Sequence, residues 1–312
     1  MKIRKAACIL LALLLLPAAA CGEGKRRVFS AEETTPFEPG AQLLTLTVVP
    51  LLGADSMLLT LGEHSMLIDA GTNTQAETVM ETVKSAGLDA VEYVLNTHPH
   101  GDHLGGVIPL LNGGLGIGKF ITLFPHDYVE RITAFDYQGE TIRALEKAGI
   151  PVMDMKAGDR IPFGEAELTL MRIPDGDINP TITCNEMSAM LMVRYGECSL
   201  LLTADVEPTQ HSQVRLAELY DLKADILKFP HHGMSLMAPE FSGETDPEMI
   251  FFTHGAGDTQ QAQRWAVQHG LDRMYFATWG PITLQTDGSK WIAGQEILPE
   301  FREVAERYVL KE

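Results

Sequence analysis

Three imidazoles and a carboxylate fall within six positions in His98-Pro99-His100-Gly101-Asp102-His103. Donors at that density are what a borderline divalent cation requires of its ligands. His98 and His100 stand two residues apart, so on an extended segment both rings point to one side and can share an ion. Asp102 and His103 open the next turn, placed for a second ion beside the first. Two further places end apolar runs in the same chemistry: Asp205, after Leu200-Leu201-Leu202-Thr203-Ala204, and His231-His232, after residues 225–229 and Pro230. The agreement of three separated places carries more weight than any one of them.

Such donors need a scaffold to bring them together. Residues 91–95 read as a buried strand that delivers the histidine cluster, and 103–111 as the helix after it. Residues 43–49, 56–61 and 65–68 read as strands, the last ended by the turn Asp69-Ala70-Gly71. The spacing of Ala76, Val79, Met80 and Val83 predicts a helix over 74–86, with Gly87 as its stop. Strand and helix repeat over 117–123 and 128–148. Strands follow at 165–173, 187–195, 198–203, 225–229, 249–253, 274–277 and 282–285, with helices at 206–219, 260–268 and 300–309. These two broadly similar halves predict an α/β protein, an αββα four-layer sandwich in which two mixed sheets pack face to face with helices outside.

The H-x-H-x-D-H pattern between strand and helix resembles the signature of the metallo-β-lactamase superfamily, and the likeness runs over most of the chain after about residue 41. The resemblance implies two divalent ions, zinc, with manganese as the alternative. It places His98 and His100 on the first ion and Asp102, His103 and His232 on the second. Asp205 then bridges both with its two oxygens, and Asp69 supports the metal loop. His231 is expected to contact substrate or orient its neighbour, unless the two adjacent histidines exchange roles. Many members place a further histidine before the bridging aspartate. Here that region, Thr183-Cys184-Asn185-Glu186-Met187-Ser188, has none, so Cys184, Asn185 and Glu186 are the candidates near the first ion.

The Asn185-x-x-Ser188 stretch resembles the metallo-hydrolase domain of the competence protein ComEC and its stand-alone relatives, with Asn185 as a supporting residue. Leu201 to Glu207, Leu227-Lys228-Phe229-Pro230-His231-His232-Gly233-Met234-Ser235 and Gly280 to Gly288 follow that branch in order. The Thr253-His254-Gly255-Ala256-Gly257 loop departs from it. His254 leaves a strand end near the expected mouth and is read as acting on the leaving group.

Two close cations would lower the pKa of bound water toward neutrality and draw charge from a phosphoryl or carbonyl oxygen, with Asp102 orienting the resulting hydroxide. The expected function is an exported hydrolase of phosphoesters, phosphodiesterase-, nuclease- or phosphorylcholine-esterase-like. A β-lactamase or lactonase shares the metal core, and a catalytically silent metal-binding lipoprotein is a third reading.

Lys2, Arg4 and Lys5 precede an apolar stretch at 9–16 and Ala18-Ala19-Ala20-Cys21. This pattern reads as a secretory signal over residues 1–20, with Cys21 as the lipidated cysteine of a bacterial lipoprotein on the outer face of the cell membrane. Plain secretion after Ala20 is the alternative. Residues 21–40 read as a flexible tether and 41–312 as one hydrolase domain. Removal of 1–20 lowers the basic count from 24 to 21 against 42 acids, a net charge of −21. A surface so acidic disfavours extended nucleic acid as a partner and leaves small-molecule or small phosphoester substrates open. Cys184 and Cys198 flank a hairpin in different registers, which argues against a disulfide.

Overall fold

The computed structural model describes residues 26–129, 137–178 and 181–309. The leader at 1–20 and the lipidation site Cys21 lie outside the described residues. The first seven strands are β1 (Val28–Phe29), β2 (Leu44–Val48), β3 (Met57–Leu61), β4 (His64–Ile68), β5 (Ala90–Leu95), β6 (Gly116–Thr122) and β7 (Val152–Asp154). A second sheet follows with β8 (Arg160–Phe163), β9 (Ala166–Met171), β10 (Met190–Tyr195), β11 (Cys198–Leu202), β12 (Ile226–Lys228), β13 (Met249–Phe252) and β14 (Met274–Phe276). The chain then returns to the first sheet through β15 (Ile282–Thr286) and β16 (Trp291–Gln295). The first sheet runs β1-β16-β15-β2-β3-β4-β5-β6-β7 and the second β14-β13-β12-β11-β10-β9-β8. Both are mixed: β4 to β7 and β11 to β14 are parallel, and β1 joins β16 in parallel.

Three apolar clusters define the four layers. Leu46, Leu59, Ile68 and Leu95 of the first sheet meet Leu168, Leu191, Leu200 and Phe251 of the second. The outer face of the first sheet (Leu67, Val94, Phe120) packs on α1 (Ala76–Ser85), α3 (Val107–Asn112) and α4 (Tyr137–Lys147). The outer face of the second (Leu201, Leu227, Ile250) packs on α5 (Ser212–Leu219), α6 (Pro239–Thr245), α7 (Gln260–Gln268) and α8 (Arg302–Val309). A strand covered on both faces has no polar side to show, which is why β11 reads Cys-Ser-Leu-Leu-Leu with every residue buried.

The strand registers decide where chemistry can sit. Val48, Met57, Ile68, Leu95, Ile121 and Met153 lie across from one another in the first sheet, as do Leu202, Lys228 and Phe251 in the second. The loops beyond these two lines share one edge of the sandwich. Asp69, the 98–103 cluster, Asp205, His231-His232 and His254 all follow strands that end there.

Several expected boundaries differ. The helix read over 103–111 is two, α2 (Gly101–Leu104) and α3. It breaks because the Asp69-Ala70-Gly71 turn takes its backbone groups: the Ala70 N–H donates to His103 O, and the Gly106 N–H to Gly71 O. A Cβ on Gly106 would lie 2.0 Å from Ala70 O, so only glycine admits this approach. The helix expected from 206 starts at Ser212, since Val206 is held at the centre by Thr203 O and by the Gln213 side chain. Of the helix expected over 128–148, α4 covers 137–147, and 130–136 lie outside the described residues.

The tether expected over 21–40 is corrected in its described part. Val28 is fully buried, β1 pairs with β16, and the Glu248 carboxylate accepts the backbone N–H groups of Arg27 and Val28. Arg26 and Arg273 both bond Glu33, fastening the next turn to the domain. Two apolar residues among basic ones were too short a signal to read as a strand. No helix among the described residues is long and apolar enough to cross a membrane.

Candidate metal centre

Past Leu95 the chain turns through Asn96 and Thr97 into the histidine cluster, and Asp69 fixes that turn. Its carboxylate accepts from Thr97 N (2.8 Å), Thr97 Oγ1 (2.7 Å) and Asn96 Nδ2 (3.2 Å). The same carboxylate accepts the Nδ1–H of His103 at 2.8 Å, which leaves His103 Nε2 pointing into the centre. His232 is oriented in the same manner. Its Nδ1 lies 2.9 Å from Asp55 Oδ1 and 2.8 Å from Thr253 Oγ1, and its Nε2 faces Asp102 and Asp205.

A single oxygen, Asp205 Oδ2, is the hub. It lies 3.2 Å from His103 Nε2, 3.3 Å from His232 Nε2, and 3.8 Å from both His98 Nε2 and His231 Nε2. The other oxygen, Oδ1, is turned toward the Lys228 ammonium at 3.9 Å. Of the two oxygens that the resemblance assigns to the ions, Oδ2 is the one that faces the four imidazoles. Asp102 Oδ2 completes one side, 3.3 Å from His232 Nε2 and 3.9 Å from His103 Nε2. Ligands about 2.0–2.2 Å from a tetrahedral ion stand about 3.4 Å apart, so the Asp102–His103–Asp205–His232 set has the right span. On the other side His98 Nε2 and His100 Nδ1 are 3.0 Å apart. His103 Nε2 and Asp205 Oδ1 are buried without a hydrogen-bond partner, a costly arrangement for groups with no cation to meet. The donor set fits divalent ions.

Backbone strain concentrates here. Of six non-glycine residues with positive φ among the described residues, Asp69, Ala204, His231 and His232 belong to this edge. Holding such conformations costs on the order of 1–3 kcal/mol each, which a purely structural turn would shed by taking glycine.

Four participants escaped the sequence reading. Asp55 lies with His103, Asp205 and His232 in one buried donor group. Its oxygens are already engaged, Oδ1 by His232 and Thr253 (2.5 Å) and Oδ2 by Lys228 Nζ at 2.8 Å, so it orients a ligand rather than serving as one. Lys228 is fully buried and also bonds Ala204 O at 3.0 Å. Glu207 sits 2.9 Å from His231 Nδ1 and accepts from Asn185 Nδ2 at 3.3 Å. Thr253 hydrogen-bonds Asp55. The available signals were a lysine inside the apolar run before His231, and an acid ending Leu51-Leu52-Gly53-Ala54.

Residues 49–114 match the family profile of the metallo-beta-lactamase superfamily. Among solved structures the chain is similar to the metallo-beta-lactamase fold protein YhfI from Bacillus subtilis, at 16% identity, TM-score 0.50, over 81% of this chain and 100% of that one. The fold is that of the metallo-β-lactamase superfamily. A second similar structure is CmlA, a diiron beta-hydroxylase from Streptomyces venezuelae, at 15% identity and TM-score 0.50. That match covers 80% of this chain and 55% of the longer hydroxylase. No curated protein matches the sequence.

On this metallo-β-lactamase scaffold the structure brings His98, His100, Asp102, His103, Asp205, His231 and His232 to one edge. Asn185 reaches the group through Glu207. Glu186 is turned to its own loop, accepting Thr183 N at 2.6 Å. His254 stands apart, its Nδ1 bound to the Gly255 N–H and near Asp258, its ring against Gly53. Cys184 and Cys198 are buried and are not joined by a disulfide.

Burial, reinforced by the neighbouring imidazoles, holds His98 well below the ordinary histidine pKa, so it stays neutral as a ligand must. Burial opposes charge on His103 and His232 too, but the Asp205 carboxylate, with Asp69 for His103 and Asp55 for His232, outweighs it and lifts both well above. Burial likewise opposes charge on Asp205 and Asp102, and the same imidazoles prevail and lower both. The centre opens into a hollow of about 430 Å³ lined by His100, Asp102, Thr72, Tyr128 and Tyr137. Tyr128 also lines a cavity of about 810 Å³ at the ends of β6, β7 and β9.

Proposed function

We propose that this protein is an exported metal-dependent hydrolase of phosphoesters, of the phosphodiesterase or phosphorylcholine-esterase kind. The observation that supports it most is the convergence of two donor sets on one buried oxygen, Asp205 Oδ2, beside an accessible wall formed by His100 and Asp102. Zinc or manganese ions held there would supply Lewis acidity toward a phosphoryl oxygen and lower the pKa of water. The Asp102 side chain, 34% exposed, is the carboxylate of the group that meets the hollow, and it is positioned to orient the attacking water and accept its proton. His231, pinned at Nδ1 by Glu207 and Ser235, presents Nε2 to the centre and holds a substrate oxygen. The lipid anchor at Cys21 belongs to this reading, with serine at that position expected to release the protein from the membrane.

The apolar walls of the larger cavity favour a second reading, a carboxylic ester or lactone with an apolar acyl part. One panel separates the two. The purified mature protein, loaded with zinc, manganese or iron, is assayed on bis(p-nitrophenyl) phosphate, p-nitrophenyl phosphorylcholine, an acyl lactone and nitrocefin. Chelator-sensitive turnover of the phosphodiesters, restored by the ion, is expected. Turnover of the lactone or nitrocefin alone selects the second reading, and a loaded but inert protein rejects both.

A further inference from the structure

Seven large apolar side chains are exposed among the described residues. Leu219, Val267 and Val304 lie on the outer helices α5, α7 and α8. The other four, Leu52, Val129, Met234 and Leu236, stand on loops of the metal edge, 41–58% exposed. The Leu52 loop is bonded to the centre itself, through Asp55 N to Asp102 O and Gly53 N to Thr253 O, both at 3.1 Å. Met234 follows His231-His232-Gly233 directly, and Val129 follows Tyr128, the residue common to the hollow and the larger cavity. A chain with 42 acids against 24 basic residues has ample charge to place on exposed loops. Of the four, Val129 lines the larger cavity, and the other three stand on loops of the same edge.

The larger cavity continues that character inward. Leu123, Phe124, Met155, Ile182 and Met187 line it, and its volume of about 810 Å³ falls in the range of about 300–1,000 Å³ usual for small-molecule sites. Its wall holds one buried cation. The Arg172 guanidinium, 5% exposed, gives Nη1 to Leu123 O at 2.6 Å and Nη2 to Asp175, and its Nε is buried with no partner. Asp154 and Asp175 on the same wall offset the positive charge of Arg172 and Lys156, so the cavity suits an uncharged chain better than an anionic one.

We infer that the substrate is a single-chain amphiphile, with a phosphoester head that reaches His100 and Asp102 and an acyl chain lodged in the cavity behind Tyr128. The inference rests on the phosphoester reading above. Val129, exposed beside Tyr128 on the rim of the larger cavity, receives the chain as it enters.

The test uses a series of alkyl phosphocholines that differ only in chain length, from butyl to decyl and hexadecyl phosphocholine, each below its micelle concentration. The metal-loaded protein is expected to gain kcat/KM with chain length, by up to about fourfold per methylene, mainly through KM. Binding is measured separately by titrating hexadecyl phosphocholine into the chelated protein. Ile182→Trp, which fills the cavity away from the metal donors, should weaken this binding at least tenfold, and Ile182→Leu should retain it. Hydrolysis that is indifferent to chain length overturns the amphiphile and leaves the hydrolase reading standing. Saturable, Ile182-dependent binding with no hydrolysis in the loaded protein does the reverse. Absence of saturable binding overturns the inference whatever the activity.

Discussion

Asp205 divides its two oxygens between unlike neighbours, imidazoles on one side and an ammonium on the other. Because Oδ2 faces His98 on one side and His103 and His232 on the other, Asp205→Ala should lose both ions and all hydrolysis, while His232→Ala should lose mainly one. Metal analysis by mass spectrometry distinguishes them, and retention of both ions in Asp205→Ala would contradict the hub. Lys228 Nζ stands between Asp55 and Asp205, 2.8 Å from one carboxylate and 3.9 Å from the other. Replacement of Lys228 by methionine removes the ammonium partner of Asp55 and the cation nearest Asp205 Oδ1, an expected loss of about 3–5 kcal/mol in urea unfolding of the chelated protein. The loss should be smaller with ions bound, since they neutralise Asp205; an equal loss in both states would point to packing alone. His103 and His232 set the pH dependence. Their folded pKa values are raised above that of the unfolded chain, so their stabilisation is complete below the ordinary imidazole value and is lost as pH rises through the raised ones. The chelated protein should therefore weaken toward alkaline pH. Ion binding expels those protons, so metal affinity should climb over the same interval. Thermal denaturation with and without chelator checks the opposite trends, and calorimetry in buffers of different ionisation enthalpy counts the protons.

At the scale of elements, the α2–α3 break and the Asp69 turn interlock through Gly106. Gly106→Ala has no room at 2.0 Å from Ala70 O and must displace the metal loop. A destabilisation above about 2 kcal/mol is expected, together with weaker metal retention, read by unfolding and by chelator competition. A variant that unfolds earlier yet retains metal normally would separate the turn from the centre. What the sequence revealed at this scale follows from period and length. The uninterrupted apolar strands β5 and β11, each ending in donors, were legible, as were α1 and α7 by their helical spacing. The short strands β7 and β8 offer three or four residues each, too few for a period to emerge, and β1 has two. The ligands announced themselves as His and Asp in clusters. Asp55 and Lys228 are single charged residues in apolar surroundings, and only the closure of two sheets from distant parts of the chain brings them within 2.8 Å.

For the whole molecule, the four-layer arrangement was legible because both halves repeat strand and helix, whereas the hollow and the cavity depend on loop shapes that no pattern encodes. The pairing of β1 also bears on how the molecule stands. Val28 lies opposite Trp291, Trp291 opposite Thr286, and Thr286 opposite Leu44, whereas Val48 and Ile282 mark the catalytic edge. The chain thus enters the fold at the pole remote from its metals. If Cys21 carries a lipid, as proposed, four residues stand between it and Arg26, so the anchor reaches about 18 Å at most. The anchor would then hold the molecule with its mouth turned outward from the membrane that tethers it. A protein so mounted patrols what arrives from the surroundings, shed amphiphiles or a neighbouring surface, and its own bilayer lies behind it.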